Sequence, residues 1–214
     1  MSILLIGDGA PDFVSETQDG PFRFHDWLDG SWAVLFSHPK DFTPVCSTEV
    51  TEVARLRDEF AARGVKVATL STGTAASHRE WAAELTATFD VPVDFPLIVD
   101  DEKLTIARRF GMVHPKASDL TTIRSVFVID PDRIVRATFS YPHTTGRNFP
   151  EILRVIDSLQ LADRAGIVTP VNWRPGDDVL VPVDIETDEA RRRFGSVTEH
   201  LPYLRTATVA ATAD

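Results

Sequence analysis

Apolar positions fall into two kinds of run along the chain, short continuous blocks and longer stretches with helical spacing. Ser31 to Ser37 (SWAVLFS) is nearly all apolar, the pattern of a strand buried on both faces. From Thr43 to Arg63, Val50, Val53, Leu56 and Phe60 recur at helical spacing, with Gly64 as the stop, and this predicts one helix. Val65 to Ser71 (VKVATLS) reads as a second strand. Ala75 to Phe89 reads as a second helix, with Trp81, Leu85 and Phe89 on one face. Ahead of these, residues 1–30 hold short apolar pieces broken by Gly and Pro and ending at the turn dipeptide Asp29-Gly30, an opening hairpin.

Further on, the pattern predicts a short strand at Phe95 to Val99, a short helix at Leu104 to Phe110 closed by Gly111, and strands at Arg124 to Ile129 and Ile134 to Ser140. Asp130-Pro131-Asp132-Arg133 separates the last two, as in an antiparallel hairpin. Asn148 to Ala165 carries Ile152, Leu153, Ile156 and Leu159 on one stripe and ends at Gly166, a long helix. This order predicts an α/β protein with a mixed central sheet flanked by helices, which the thioredoxin-like fold fits. Beyond Gly166 the prolines at 170, 175 and 182 prevent long helices until Asp188 to Phe194. The expected division is therefore a main domain over residues 1–165 and a small C-terminal appendage over residues 166–214. The last stretch, Arg205 to Asp214, is small and polar, and its end is expected to be mobile.

Composition narrows the function. The 214 residues are 43% hydrophobic and 25% charged, the make-up of a globular, water-soluble chain. The net charge of −10 argues against general binding to nucleic acid or to an anionic membrane surface. No apolar run reaches the ~18 to 20 residues of a membrane span, and the N-terminus lacks a basic segment followed by a long apolar stretch, so a cytoplasmic location is expected. The single cysteine, Cys46, excludes an intrachain disulfide, a CxxC redox pair and a multi-cysteine zinc site. The histidines show no ligand spacing, so neither a metal nor a cofactor is expected.

Cys46 has an unusual setting. Asp41-Phe42-Thr43-Pro44-Val45-Cys46 runs from the first strand into the first long helix, with Thr43 at the N-cap and Pro44 at the first helical position. The first turn of a helix offers unpaired N–H groups and the positive end of the helix dipole, which favour a thiolate, the nucleophilic form. Pro39, Thr43 and Cys46 in PKDFTPVC match the PxxxTxxC motif, and the chain resembles the peroxiredoxins, the AhpC/TSA superfamily. The wording FSHPKDFTPVCSTE is similar to the 1-Cys, peroxiredoxin-6-like subfamily. RSVFVIDPD after Arg124, YPHTTGRNFPEILRVIDSLQL around Arg147 and TPVNWRPGD at Thr169 to Asp177 extend the likeness over nearly the whole chain.

The resemblance implies a thiol-dependent peroxidase acting on hydrogen peroxide and organic hydroperoxides. Cys46 would attack the peroxide and become a sulfenic acid. Thr43 would offer its hydroxyl to the thiolate or the peroxide, and Pro39 would cover the pocket. Arg124 would stabilise the thiolate and the departing oxygen. Arg147 would orient Arg124 and the acidic residue at the helix start. Glu49 is that acidic residue, or else ordinary dipole compensation in a first helical turn. His38 either hydrogen-bonds the sulfur or a bound oxyanion, or simply packs at a strand end.

With no second cysteine, an external thiol, a small molecule or a redox protein, must return Cys46 to its reduced state. The resemblance also implies a homodimer or a ring of dimers, with the C-terminal domain serving dimerisation and Thr169 to Asp177 as a lid. Two rival readings differ in class. A phospholipase-type activity would use Ser31, His25 and Asp132, although Asp29-Gly30-Ser31-Trp32-Ala33 lacks the glycines of a hydrolase nucleophile turn. A thioredoxin-fold holdase or binding module would leave Cys46 incidental, and has no need of an activated thiolate opposite a guanidinium.

Overall fold

The computed structural model describes residues 4–209. Residues 210–214, the end of the stretch expected to be mobile, lie outside the described residues. Helix α1 (Phe24–Leu28) follows a hairpin of β1 (Val14–Thr17) and β2 (Gly20–Arg23). Next come β3 (Trp32–Ser37), α2 (Pro44–Arg55), α3 (Arg57–Ala62), β4 (Val65–Thr72) and α4 (Ala75–Phe89). Strand β5 (Leu97–Asp100), helix α5 (Thr105–Arg109) and the hairpin β6 (Arg124–Ile129) and β7 (Val135–Tyr141) complete a seven-stranded mixed sheet in the order β2-β1-β5-β4-β3-β6-β7. This is the expected α/β, thioredoxin-like architecture.

The expected helix over 43–63 is divided at Leu56, whose backbone (φ −87°, ψ 9°) leaves the helical path. The re-aimed α3 buries Phe60 while Leu56 stays half-buried, so tertiary packing interrupts an otherwise continuous stripe. Helix α1 escapes a periodicity reading because its buried face is only Phe24 and Leu28. Those residues join Phe13, Phe22 and Phe110 in an aromatic cluster, with Phe13 stacked on Phe24 at 4.7 Å.

The sheet register explains why distant residues meet. Strand β3 pairs parallel with β4 on one side and antiparallel with β6 on the other, with Phe36 opposite Val126. The start of β6 therefore lies beside the C-terminal end of β3, where the chain turns into α2. Arg124 also pairs with Tyr141 of β7, so the loop after β7 leaves from the same end.

The chain divides into compact units at Phe149/Pro150, earlier than the 165/166 division expected from composition. The reason is α6 (Phe149–Ala165): its Leu161, with Ala162 and Ala165 alongside, forms one wall of the second unit's own core with Ile167, Trp173, Val179 and Val181. That unit also contains α7 (Thr187–Phe194) and a three-stranded sheet of β8 (Val179–Leu180), β10 (Leu204–Ala207) and β9 (Val197–Leu201), in that order. Strand β9 is almost wholly exposed, so it carries no alternation for a pattern reading to find. Trp173 is buried in this core, with Nε1 donating to the Asp177 carbonyl at 3.1 Å.

Candidate active site

Thr43 holds the N-cap position of α2 with extended backbone (φ −119°, ψ 147°), and Pro44 opens the helix. The expected side-chain cap does not form. Thr43 Oγ1 donates instead to the Lys40 carbonyl at 2.8 Å, tying off the preceding loop. Thr74 shows the contrast at α4, where its side chain accepts from Ser77 N–H at 3.1 Å. Because the Thr43 hydrogen is committed, its oxygen is left as an acceptor.

Cys46 lies in the first turn of α2, fully buried. Arg124 Nη1 stands 3.4 Å from Cys46 Sγ and also donates to Glu49 Oε2 at 2.7 Å. The other edge of Arg124 grips one carbonyl, that of His143, through Nε (3.1 Å) and Nη2 (2.8 Å). Arg124 is thus a buried, fully engaged group rather than a surface salt-bridge arginine.

Glu49 is one helical turn beyond Cys46 and resolves the alternatives left open for it. Its carboxylate accepts from Arg147 Nε at 2.9 Å, Arg147 Nη2 at 2.6 Å and the Arg147 backbone N–H at 3.0 Å, as well as from Arg124. Arg147 Nη1 donates to the carbonyls of Ser37 (2.8 Å) and Ser125 (3.1 Å), and the guanidinium lies 4.7 Å from the Phe36 ring centre. Burial lowers the Arg147 guanidinium from its ordinary value, opposed by the Glu49 carboxylate. Two buried guanidiniums thus share the single Glu49 carboxylate, and the positive charge in excess lies against the Cys46 sulfur through Arg124 Nη1.

His38 does not face the sulfur. Its Nδ1 is 2.8 Å from Thr69 Oγ1 and its Nε2 is 2.9 Å from Asp41 Oδ1, so both nitrogens are occupied behind the loop. Burial pulls the His38 imidazole below its ordinary value, against the opposing effect of Asp41. The correction follows from where β3 ends: His38 N–H still donates to Leu70 O of β4, which directs the ring into the protein. Pro39 stands partly buried beside it, at the turn out of the strand. The structure brings Cys46, Thr43, Arg124, Glu49 and Arg147 to one end of the sheet. Sequence reasoning missed the His143 carbonyl, because a backbone acceptor has no residue-type signature.

Ser31, His25 and Asp132 are not joined. His25 Nε2 bonds the Ala10 carbonyl at 2.8 Å and its Nδ1 faces Arg133, while no hydrogen bond links it to Ser31 or Asp132.

Residues 6–138 match the model of the AhpC/TSA family, and residues 158–196 match the C-terminal domain of 1-Cys peroxiredoxin. The chain belongs to the 1-Cys peroxiredoxins of the AhpC/TSA family. It is 46% identical over 209 residues to peroxiredoxin PRX1, mitochondrial, of Saccharomyces cerevisiae, covering 94% of this chain and 80% of the relative. Peroxiredoxin-6 of Gallus gallus is 44% identical over 216 residues, covering 94% and 96%. Among solved structures, a yeast mitochondrial 1-Cys peroxiredoxin, described with a thiol-resolving mechanism via glutathione/thioredoxin systems, superposes with a TM-score of 0.91 at 45% identity. That match covers 97% of this chain and 100% of the other. This peroxiredoxin is accordingly a thiol-dependent peroxidase, an oxidoreductase that reduces peroxides.

Proposed function

We propose that Cys46 is the peroxidatic cysteine and that a small external thiol of the glutathione class resolves it. The observation that carries the first part is the 3.4 Å approach of Arg124 Nη1 to Cys46 Sγ inside a cluster with one positive charge to spare. In the first half, the thiolate attacks the terminal oxygen of a hydroperoxide, forming an S–O bond as the O–O bond breaks. Sulfur is oxidised to sulfenic acid, and the departing RO⁻, held by Arg124, takes a proton from water and leaves as alcohol or water. Thr43 Oγ1 accepts the hydrogen of the attacked hydroperoxide oxygen, which aligns the O–O bond with sulfur. Arg147 and Glu49 act through Arg124 as positioning residues.

In the second half a thiol attacks the sulfenic sulfur and water leaves. A second thiol then releases Cys46 and a disulfide. The full burial of Cys46 favours a slender thiol over a protein surface as the attacking partner. With one equivalent of peroxide, intact-mass spectra are expected to show a one-oxygen adduct on Cys46 that glutathione converts to a mixed disulfide. Excess peroxide without thiol is expected to give the two-oxygen sulfinate, since no internal cysteine competes. Peroxide consumed with Cys46 unmodified refutes the first part; turnover supported by thioredoxin but not by glutathione refutes the second.

The assembly we propose is a two-fold dimer, supported by β7, an edge of the seven-stranded sheet whose outer groups beyond Val135, which is already bonded to residues 7 and 8, can pair with a second copy. Sedimentation at micromolar concentration should return a dimer or a multiple of it, and a lone monomer rejects the reading. A catalytic free thiol suits a reducing compartment, and we assign the cytoplasm. Recovery of the protein in an organelle fraction would overturn that assignment.

A further inference from the structure

Behind the reactive turn lies a buried polar constellation that the peroxide chemistry above leaves unused. Asp41, two residues before Thr43, is 3% exposed, and His38 and His78 are fully buried. Its Oδ1 meets His38 Nε2 at 2.9 Å. Its Oδ2 meets His78 Nδ1 at 2.7 Å and Ser77 Oγ at 2.7 Å, both on α4. A carboxylate has no hydrogen to give, so all three partners donate to it. With Nε2 donating, His38 accepts from Thr69 Oγ1 on β4 at 2.8 Å. One side chain of the reactive loop is thereby fastened to the end of β3, to β4 and to the first turn of α4.

Two further contacts tie this anchor to the reacting atoms. The His38 ring packs on Trp81 at 5.0 Å, and Trp81 Nε1 donates to Ser47 Oγ, the residue after Cys46, at 3.2 Å. The turn is therefore held from behind on both sides of Cys46. Between Asp41 and Thr43, Phe42 adopts φ +54°, a left-handed conformation that is strained for a non-glycine residue. It persists only where its surroundings hold it, and Asp41 is the adjacent fixed point. The fit is close as well: a Cβ at Gly73, where φ is +150°, would stand 3.2 Å from His78 Cε1 and 3.5 Å from Asp41 Oδ2.

We propose that Asp41, clamped by His38 and His78, is the positioning residue that holds Thr43 and Cys46 in line for peroxide attack. The proposal rests on Cys46 being the peroxidatic cysteine. Its signature is a loss of peroxide reactivity without a loss of thiolate reactivity, since Asp41 orients the turn and leaves the charged cluster of Arg124, Glu49 and Arg147 in place.

The test compares two rates on the full-length protein, peroxide reduction and alkylation of Cys46 by iodoacetamide. Wild-type protein alkylated at Cys46 serves as the control, and residual turnover there would fail the peroxidatic reading itself. Asp41→Asn keeps the volume but turns one acceptor into a donor facing another donor. It should lower the peroxide rate constant by roughly 10- to 100-fold, with alkylation within about twofold of wild type. Peroxide reduction within twofold of wild type, or both rates falling in parallel, overturns the proposal. If Asp41→Asn does not fold, His78 decides. His78→Leu should slow peroxide reduction selectively, and His78→Asn, whose amide can donate from the place of Nδ1, should recover most of that loss. Equal rates for these two variants overturn the proposal as well.

Discussion

In the Cys46→Ser protein, peroxide consumption with dithiothreitol as reductant falls to the uncatalysed background. A serine hydroxyl is protonated throughout the working range and is a poor nucleophile toward a peroxide oxygen, whereas a thiolate is a strong one. The surroundings do not change to compensate, because Arg124 and Arg147 remain bound to Glu49 through contacts that do not involve the sulfur. The chain contains no other cysteine, so no second thiol can take over. The measurement is a peroxide-consumption assay at equal protein concentration. A Cys46→Ser protein with even a few per cent of wild-type turnover would place the chemistry on another group and remove the basis of the mechanism.

Much of the sheet was legible because its strands and helices are long enough to show a period. Ala75–Phe89 and Arg124–Ile129 have the same limits in the pattern and in the structure. Helix α1 and strand β10 offer too few positions for a period, whereas the equally short α5 is marked by its Gly111 stop, and α2 breaks from α3 where packing rather than local sequence dictates. The compact units divide before the change of composition at Gly166 for a related reason: Leu161 on the preceding helix already belongs to the second core.

In the site, residue types were readable and their partners were not. PKDFTPVC identifies Cys46 and Thr43, yet whether the Thr43 hydroxyl points to sulfur or to the Lys40 carbonyl depends on loop geometry. His38 illustrates the same limit, since adjacency in sequence says nothing about ring direction, and its ring turns to Asp41. Glu49 gave an ambiguous signal because an acid in the first turns of a helix is common. What distinguishes it is burial between two arginines that arrive from β6 and from the loop after β7. Those approaches are set by strand register and are invisible to a local reading.

Register also identifies the second large effect. Glu49→Gln preserves shape but removes the one negative charge between Arg124 and Arg147 and places an amide N–H₂ against guanidinium hydrogens. Glu49 is 3% exposed and the Arg147 side chain is fully buried, so water cannot take over the lost role. Breaking a buried pair in this way costs about 3–5 kcal/mol, because it leaves uncompensated charge behind. Denaturant titration should show that loss as a lowered midpoint with an unchanged slope. Activity should fall as well, for a reason that can be separated from charge. Cys46 keeps its place in the first turn of α2, and alkylation does not depend on the aim of Arg124, so the iodoacetamide rate should not slow. Arg124, however, loses its 2.7 Å anchor and with it the fixed direction of Nη1 toward the departing oxygen. A misplacement of that size costs roughly 10²-fold in peroxide turnover. A variant with an unchanged midpoint would show that Glu49 is not the counter-charge of the arginine pair, and one with normal turnover that Arg124 does not depend on it for aim.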